Sequence, residues 1–153
     1  MNSWGIIGIG RIGLSMARNM SSKGISISLY DKAFEEKTNL IFEEKELYSE
    51  LNKASFFKDI SSFIKSIEKP RKVLILVPAG KSTDYVINNL LDILDEDDII
   101  IDAGNTNPVE SFNNKLKIQK NKMLYLGIGV SGGTEGVLRG PSIMIGGHEA
   151  AFN

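Results

Sequence analysis

The chain has 153 residues, 42% of them hydrophobic and 24% charged, and a formal net charge of −1: enough for one soluble domain, with no general attraction to nucleic acid or anionic membranes. Cysteine is absent and His148 is the single histidine, which excludes disulfides, thiolate metal sites and cysteine nucleophiles and leaves too little for a metal site. No apolar run approaches the roughly 20 residues of a membrane span, and Met1-Asn2-Ser3-Trp4 has no signal-peptide layout, so the expected location is the cytoplasm.

In chain order, Trp4-Gly5-Ile6-Ile7-Gly8 reads as a short strand buried on both faces. A glycine turn leads into a helix through Leu14, Ala17 and Met20, with Gly24 where helices commonly stop. Residues 25–30 alternate and predict a second strand. From Ala33 to about Lys69 the composition favours two or three helices, with apolar points at Leu40, Ile41, Leu47, Leu51, Phe63, Ile64 and Ile67, until Pro70 breaks the run. Residues 73–77 predict a central parallel strand, and Val86, Ile87, Leu90, Leu91 and Leu94 share one helical face. Asp95 to Asp98 mark a solvated turn before a strand at 99–101. Asn107, Pro108 and Glu110 have the arrangement of a helix start. Residues 123–126 and 142–145 are the last strands, and 149–153 resemble the first turn of a helix. Strands alternating with helices predict an α/β fold: a Rossmann-like, doubly wound, mainly parallel sheet with helices on both faces. The whole of 1–153 is expected to be one dinucleotide-binding domain, cut short near its C-terminal end.

The sharpest motif is Gly8-Ile9-Gly10-Arg11-Ile12-Gly13, which follows a strand and opens a helix. Gly8 permits the tight turn, Gly10 lets the backbone approach a pyrophosphate, and Gly13 lets helix and strand pack closely. The helix N-terminus, with free N–H groups and a positive dipole end, favours the pyrophosphate. Asp31 closes the second strand, where a carboxylate accepts hydrogen bonds from the adenosine ribose and repels the 2′-phosphate of NADP. The cofactor expected is therefore NAD or NADP, with NAD favoured by Asp31; Lys32 could offset that carboxylate and tolerate the extra phosphate. Ser131-Gly132-Gly133 alone reads as a simple turn, and Asn105 alone as a capping or turn residue. His148 reads as exposed or capping, Glu135 as a solvated acid, Asp102 as a strand-end residue, and the cluster Lys65, Lys69, Arg71 and Lys72 as surface.

Three further segments carry a resemblance. They are Pro70 to Gly80 (PRKVLILVPAG), Asp98 to Thr106 (DIIIDAGNT), and Gly127 to Gly136 (GIGVSGGTEG) with its continuation Gly140-Pro141-Ser142-Ile143-Met144-Ile145-Gly146-Gly147. In order and spacing the chain resembles the N-terminal part of the 6-phosphogluconate dehydrogenases, of the β-hydroxyacid dehydrogenase superfamily. Sibling 3-hydroxyisobutyrate-type enzymes share the SGG segment but usually lack the GN and GPS segments; that activity, and a non-catalytic nucleotide-binding module, are the alternatives.

The resemblance implies site roles. Residues 8–13 match the family's phosphate turn. Asp31, Lys32 and Ala33 match its adenosine-ribose segment, which reads Asn-Arg-Thr in NADP-using members. Val77, Pro78 and Ala79 match a loop under the cofactor, with Pro78 where a Lys is common. Asn105 matches a residue between nicotinamide and substrate, and Ser131, Gly132 and Gly133 a loop that binds the substrate's carboxylate end. The implied reaction is oxidative decarboxylation of a sugar-phosphate acid, 6-phosphogluconate, to ribulose 5-phosphate in the pentose phosphate pathway. The family's general base (Lys) and general acid (Glu) lie in a later all-helical region, which also mediates most homodimer contacts and matches nothing in this chain. No catalytic residue and no metal ligand is therefore expected here.

Overall fold

The structure, a computed structural model, describes residues 1–33 and 48–152. In chain order it contains β1 (Trp4–Ile7), α1 (Arg11–Ser22), β2 (Ile27–Tyr30), a 3-10 turn (Ser49–Lys53), β3 (Ser55–Phe57), α2 (Ile60–Lys65), β4 (Lys72–Ile75) and α3 (Lys81–Leu91). There follow β5 (Ile99–Asp102), α4 (Pro108–Lys120), β6 (Leu124–Ser131), α5 (Gly133–Arg139), β7 (Ser142–Gly147) and a closing 3-10 turn (Glu149–Phe152). The strands form one sheet of order β3-β2-β1-β4-β5-β6-β7. All neighbours are parallel except the last pair, in which β7 runs antiparallel to β6 with Ile128 opposite Ile145. The first six strands therefore have the doubly wound dinucleotide-binding order.

Two cores follow from strand alternation. Ile6, Leu74, Ile101 and Leu126 point to the face covered by α1 and α5. Their neighbours Ile7, Val73, Ile75, Ile100 and Tyr125 point to the face that carries Phe63, Ile64, Val86, Ile87, Leu90 and Ile118 of α2, α3 and α4. Ile6, Ile75, Ile87 and Ile100 are fully buried, and each contributes about 1.5–3 kcal/mol from apolar burial. Asn107 caps α4, accepting from the N–H groups of Val109 (3.1 Å) and Glu110 (3.0 Å). No helix among the described residues is long and apolar enough to cross a membrane.

Several expectations need correction. In the segment expected to be helical, Leu40, Ile41 and Leu47 lie outside the described residues. Leu51 sits in a 3-10 turn, and Ser55–Phe57 form an edge strand beside β2. Three residues are too short for a period to register, and partnership with β2 decides their state. The glycine-rich run after Ser131 becomes helix α5, because Val137 is buried against α1 and Asn19 donates to the carbonyls of Val137 and Leu138, both at 2.8 Å. β6 runs on through Ser131 because β7 pairs with it over that length. The basic cluster and the acidic turn are at the surface at Lys65, Lys69, Asp95, Glu96 and Asp97, as expected, and are corrected at one residue each. Arg71 and Asp98 are both buried, and Arg71 Nη1 donates to Asp98 Oδ2 at 2.8 Å and Asp95 Oδ2 at 2.7 Å.

Candidate functional site

The chain reverses direction across the sheet between β1 and β4, so the loops leaving their C-terminal ends diverge and open a crevice. Gly8 sits at its base with φ +99°. A Cβ there would run into the Leu76 carbonyl, and one on Gly13 would run into the Gly8 carbonyl. Those two glycines are demanded by the fold itself. Gly10 is different. A Cβ on it would meet no atom within 4 Å, and its φ of −83° suits any residue. The missing side chain at Gly10 leaves room for something outside the chain, in front of the unpaired first amides of α1.

Asp31 lies across the mouth of this turn. Its Oδ2 accepts from Ile9 N–H at 2.8 Å and its Oδ1 from Ala33 N–H at 2.9 Å. Tyr30 ends β2 beside it; burial, then Tyr85 and Asp31, push its phenol above the usual pKa, so it is a neutral donor. The Lys32 ammonium sits 5.2 Å from the centroid of the Tyr85 ring on α3.

The loop after β5 supplies the opposite side. Asn105 takes a left-handed conformation (φ 57°), which Asn tolerates better than most residues. Its Oδ1 accepts from Val130 N–H at 3.2 Å, which ties the β5 loop to β6 and leaves the side-chain NH2 as the free end of the amide. Behind it, buried Asp102 accepts from Gly104 N–H (3.0 Å) and from the Tyr125 hydroxyl (3.2 Å), which also bonds Ser111 Oγ (2.8 Å). Burial raises the pKa of Tyr125, against Ser111 and with Asp102, so this hydroxyl stays protonated.

Two clefts flank the glycine turn. One, of about 650 Å³, is lined by Gly8, Gly10, Asp31, Lys32, Ala33, Val77 and Pro78, with Tyr30, Ile60, Lys81, Ser82, Tyr85, Val86 and Asn89 completing its walls. The other, of about 620 Å³, is lined by Gly10, Arg11, Ile12, Gly13, Val77, Pro78, Asn105, Ser131, Gly132 and Gly133. They share Gly10, Leu76, Val77 and Pro78, so together they form a single trough bent over Gly10. Each has the size of a small-ligand site. A dinucleotide, two nucleosides joined by a diphosphate, fits that shape. Of the residues expected at the site, Ile9 and Ala79 line neither cleft; Ile9 is a core residue that contributes its N–H to Asp31. The wall from α3 was not anticipated: Lys81, Ser82, Tyr85 and Asn89 lie on its polar face, whereas its apolar face drew the reading of that helix. His148 is half-buried, and its Nδ1 accepts from Tyr125 N–H at 2.8 Å, a structural contact of the β6–β7 edge. Glu135 is exposed on α5 and paired with Arg139. Among the described residues no cluster of His, Asp or Glu is arranged to hold a metal ion.

Comparison with known proteins agrees with this geometry. The family described as the NAD-binding domain of 6-phosphogluconate dehydrogenase matches over residues 3–153. The decarboxylating 6-phosphogluconate dehydrogenase of Staphylococcus aureus is 41% identical over 97% of this chain, and that of Staphylococcus epidermidis is 37% identical over 97%. This chain spans 31% of the length of each, about a third. The Plasmodium falciparum 6-phosphogluconate dehydrogenase, solved alone, with its cofactor NADP+ and with its substrate 6-phosphogluconate, superposes with a TM-score of 0.88 at 34% identity, covering 98% of this chain and 32% of that one. A 3-hydroxyisobutyrate dehydrogenase from Mycobacterium tuberculosis shares the fold at a TM-score of 0.81 and 18% identity, covering 99% of this chain and 48% of that one. The chain belongs to the 6-phosphogluconate dehydrogenase family, of which it carries the Rossmann-type NAD(P)-binding domain.

Proposed function

We propose that the chain binds a nicotinamide dinucleotide, NAD in preference to NADP, as the cofactor-binding third of a cytoplasmic, homodimeric enzyme of the pentose phosphate pathway. That enzyme oxidatively decarboxylates 6-phosphogluconate to ribulose 5-phosphate. The observation that carries the reading is the bent trough over Gly10, with a carboxylate at one end and the Asn105 and Ser131 loops at the other.

In this reading the amides of residues 10–13 hold the diphosphate at the start of α1. Asp31 accepts the ribose hydroxyls and disfavours a 2′-phosphate, which supports NAD. Val77 and Pro78 form the floor where the two halves meet. The bound cofactor supplies a hydride acceptor. Asn105, its oxygen committed to Val130 N–H, turns its NH2 donors towards the space between nicotinamide and substrate. Ser131, Gly132 and Gly133 receive the substrate's carboxylate end with a hydroxyl and backbone amides.

None of these residues moves the reaction's protons. A general base and a general acid each contribute roughly 10²–10⁴-fold, and in this reading both come from the later helical region. The 153-residue chain by itself then turns over 6-phosphogluconate negligibly. Calorimetric titration tests the reading. NAD should bind the purified chain more tightly than NADP, and no NADH or NADPH should accumulate with 6-phosphogluconate. NADP binding tighter than NAD by about tenfold overturns the preference, and failure of both cofactors to bind at millimolar concentration overturns the function.

A further inference from the structure

We propose that the guanidinium of Arg11 grips the diphosphate of the bound dinucleotide, adding a charged fork to the amides of the glycine turn. The inference rests on the dinucleotide reading above and assigns a second, side-chain anchor within that site.

The chain has four arginines. Arg18 pairs with Glu50 at 2.8 Å, Arg71 with Asp95 and Asp98 at 2.7 and 2.8 Å, and Arg139 with Glu135 at 2.6 Å. Among the described residues Arg11 alone of the four pairs with no carboxylate. Arg11 is solvent-exposed, and its position is mildly unfavourable for a cation. Arg11 is the first residue of α1, whose first turn has no acidic residue and whose N-cap, Gly10, offers no side chain. A cation there faces the positive end of the helix dipole. Nothing in the fold gains from that charge.

Both features resolve if an anion occupies the trough. Arg11 lines it together with Gly10 and Gly13, and a Cβ on Gly10 would meet no atom within 4 Å beyond its two chain neighbours. An anion placed there is bordered by the first amides of α1 and by Arg11, which lines the same cleft. A diphosphate suits this pair: its charge is large, and its oxygens match the planar donor fork of arginine. Arg11 then acts on a group that NAD and NADP have in common, so it sets affinity without choosing between them. The competing occupant is the substrate's own anion, since Ser131 and Gly132 border the same cleft.

The test is calorimetric titration of the chain and its Arg11→Met variant with NAD, NADP, ADP-ribose and adenosine. ADP-ribose keeps the diphosphate without nicotinamide, and adenosine lacks phosphate. Arg11→Met should weaken NAD, NADP and ADP-ribose alike, on the order of ten- to a hundredfold for lost charged hydrogen bonds, and leave adenosine unchanged. The ligand-free variant should melt at the same temperature or higher, because a charge opposed to the helix dipole is gone. Arg11→Lys should recover part of the affinity, since it restores the charge but not the fork. Undiminished ADP-ribose binding by Arg11→Met overturns the proposal, as does an equal loss for adenosine. Those results presuppose that the unmodified chain binds; if it binds none of the four ligands, the dinucleotide reading itself has failed.

Discussion

The parallel strands β1, β4 and β5 run between two chemically different edges of the sheet. At their N-terminal ends Arg71, Asp95 and Asp98 close on one another: Arg71 N–H bonds Asp98 Oδ1 at 2.6 Å, its guanidinium bridges both acids, and Asp95 N–H returns to Asp98 Oδ2 at 3.0 Å. Burial works against the Arg71 charge, but the bonds from Asp95 and Asp98 hold its pKa above the usual value. At the C-terminal ends the polar groups stay open. The first amides of α1 face space, Arg11 lacks a carboxylate, and the Asn105 amide keeps its NH2 unspent. The same strands thus present an edge where these charges are paired within the domain, with Arg71 Nε left without a partner, and an edge whose polar groups are available to a ligand. The distinction lies in whether polar groups are satisfied within the chain.

The comparison breaks if damage at one edge appears as the other edge's defect. Asp98→Ala should have the largest effect. It leaves the buried Arg71 guanidinium short of a partner, which typically costs about 3–5 kcal/mol. Denaturant unfolding should show that loss, while cofactor affinity per folded molecule stays unchanged; a selective loss of affinity would contradict the separation. Asp31→Ala should come next and should act on both properties. Removing its bonds to the N–H groups of Ile9 and Ala33 costs about 1–3 kcal/mol, and NAD affinity should fall further than NADP affinity. Titration of both cofactors checks this, and an equal fall for the two would remove Asp31 from cofactor choice.

The smallest effect should come from pH. Burial, then Lys115, hold the pKa of His148 below its usual value of about 6.5. As pH drops from neutral, the unfolded chain therefore takes up this proton before the folded one does. Stability present above about pH 6.5 is lost as pH falls towards the depressed folded value. Protonation also removes the acceptor for Tyr125 N–H. Urea midpoints at pH 7.5 and 5.5, roughly one unit either side of that value, should differ less for His148→Gln than for the unaltered chain. An identical pH response would remove His148 as the source.

Much of the open edge was legible in the sequence because backbone constraints are local. Gly8, Gly10 and Gly13 sit between an apolar strand and a helical period, and Asp31 stands one strand away. Asn105, Ser131, Gly132 and Gly133 were given their roles by family resemblance, and the fold brings them to the same trough as the glycine turn. The closed edge was misread for a physical reason. Composition marks Arg71 and Asp98 as surface residues, and only pairing across neighbouring strands takes them inside. The helix at 133–139 was hidden in glycines and exists through its contact with α1. The α3 wall of the cleft beside Asp31 was hidden because periodicity finds a helix's buried face and says nothing of what the exposed face borders.

Gly10 tests the distinction most directly, since the fold does not need it and the proposed ligand does. Gly10→Val should leave the ligand-free chain within about 1 kcal/mol of its original stability, because a Cβ there meets no atom within 4 Å beyond its chain neighbours. It should also lower dinucleotide affinity by at least about tenfold by filling the space of the diphosphate. Unchanged NAD affinity in a well-folded Gly10→Val chain would contradict the account.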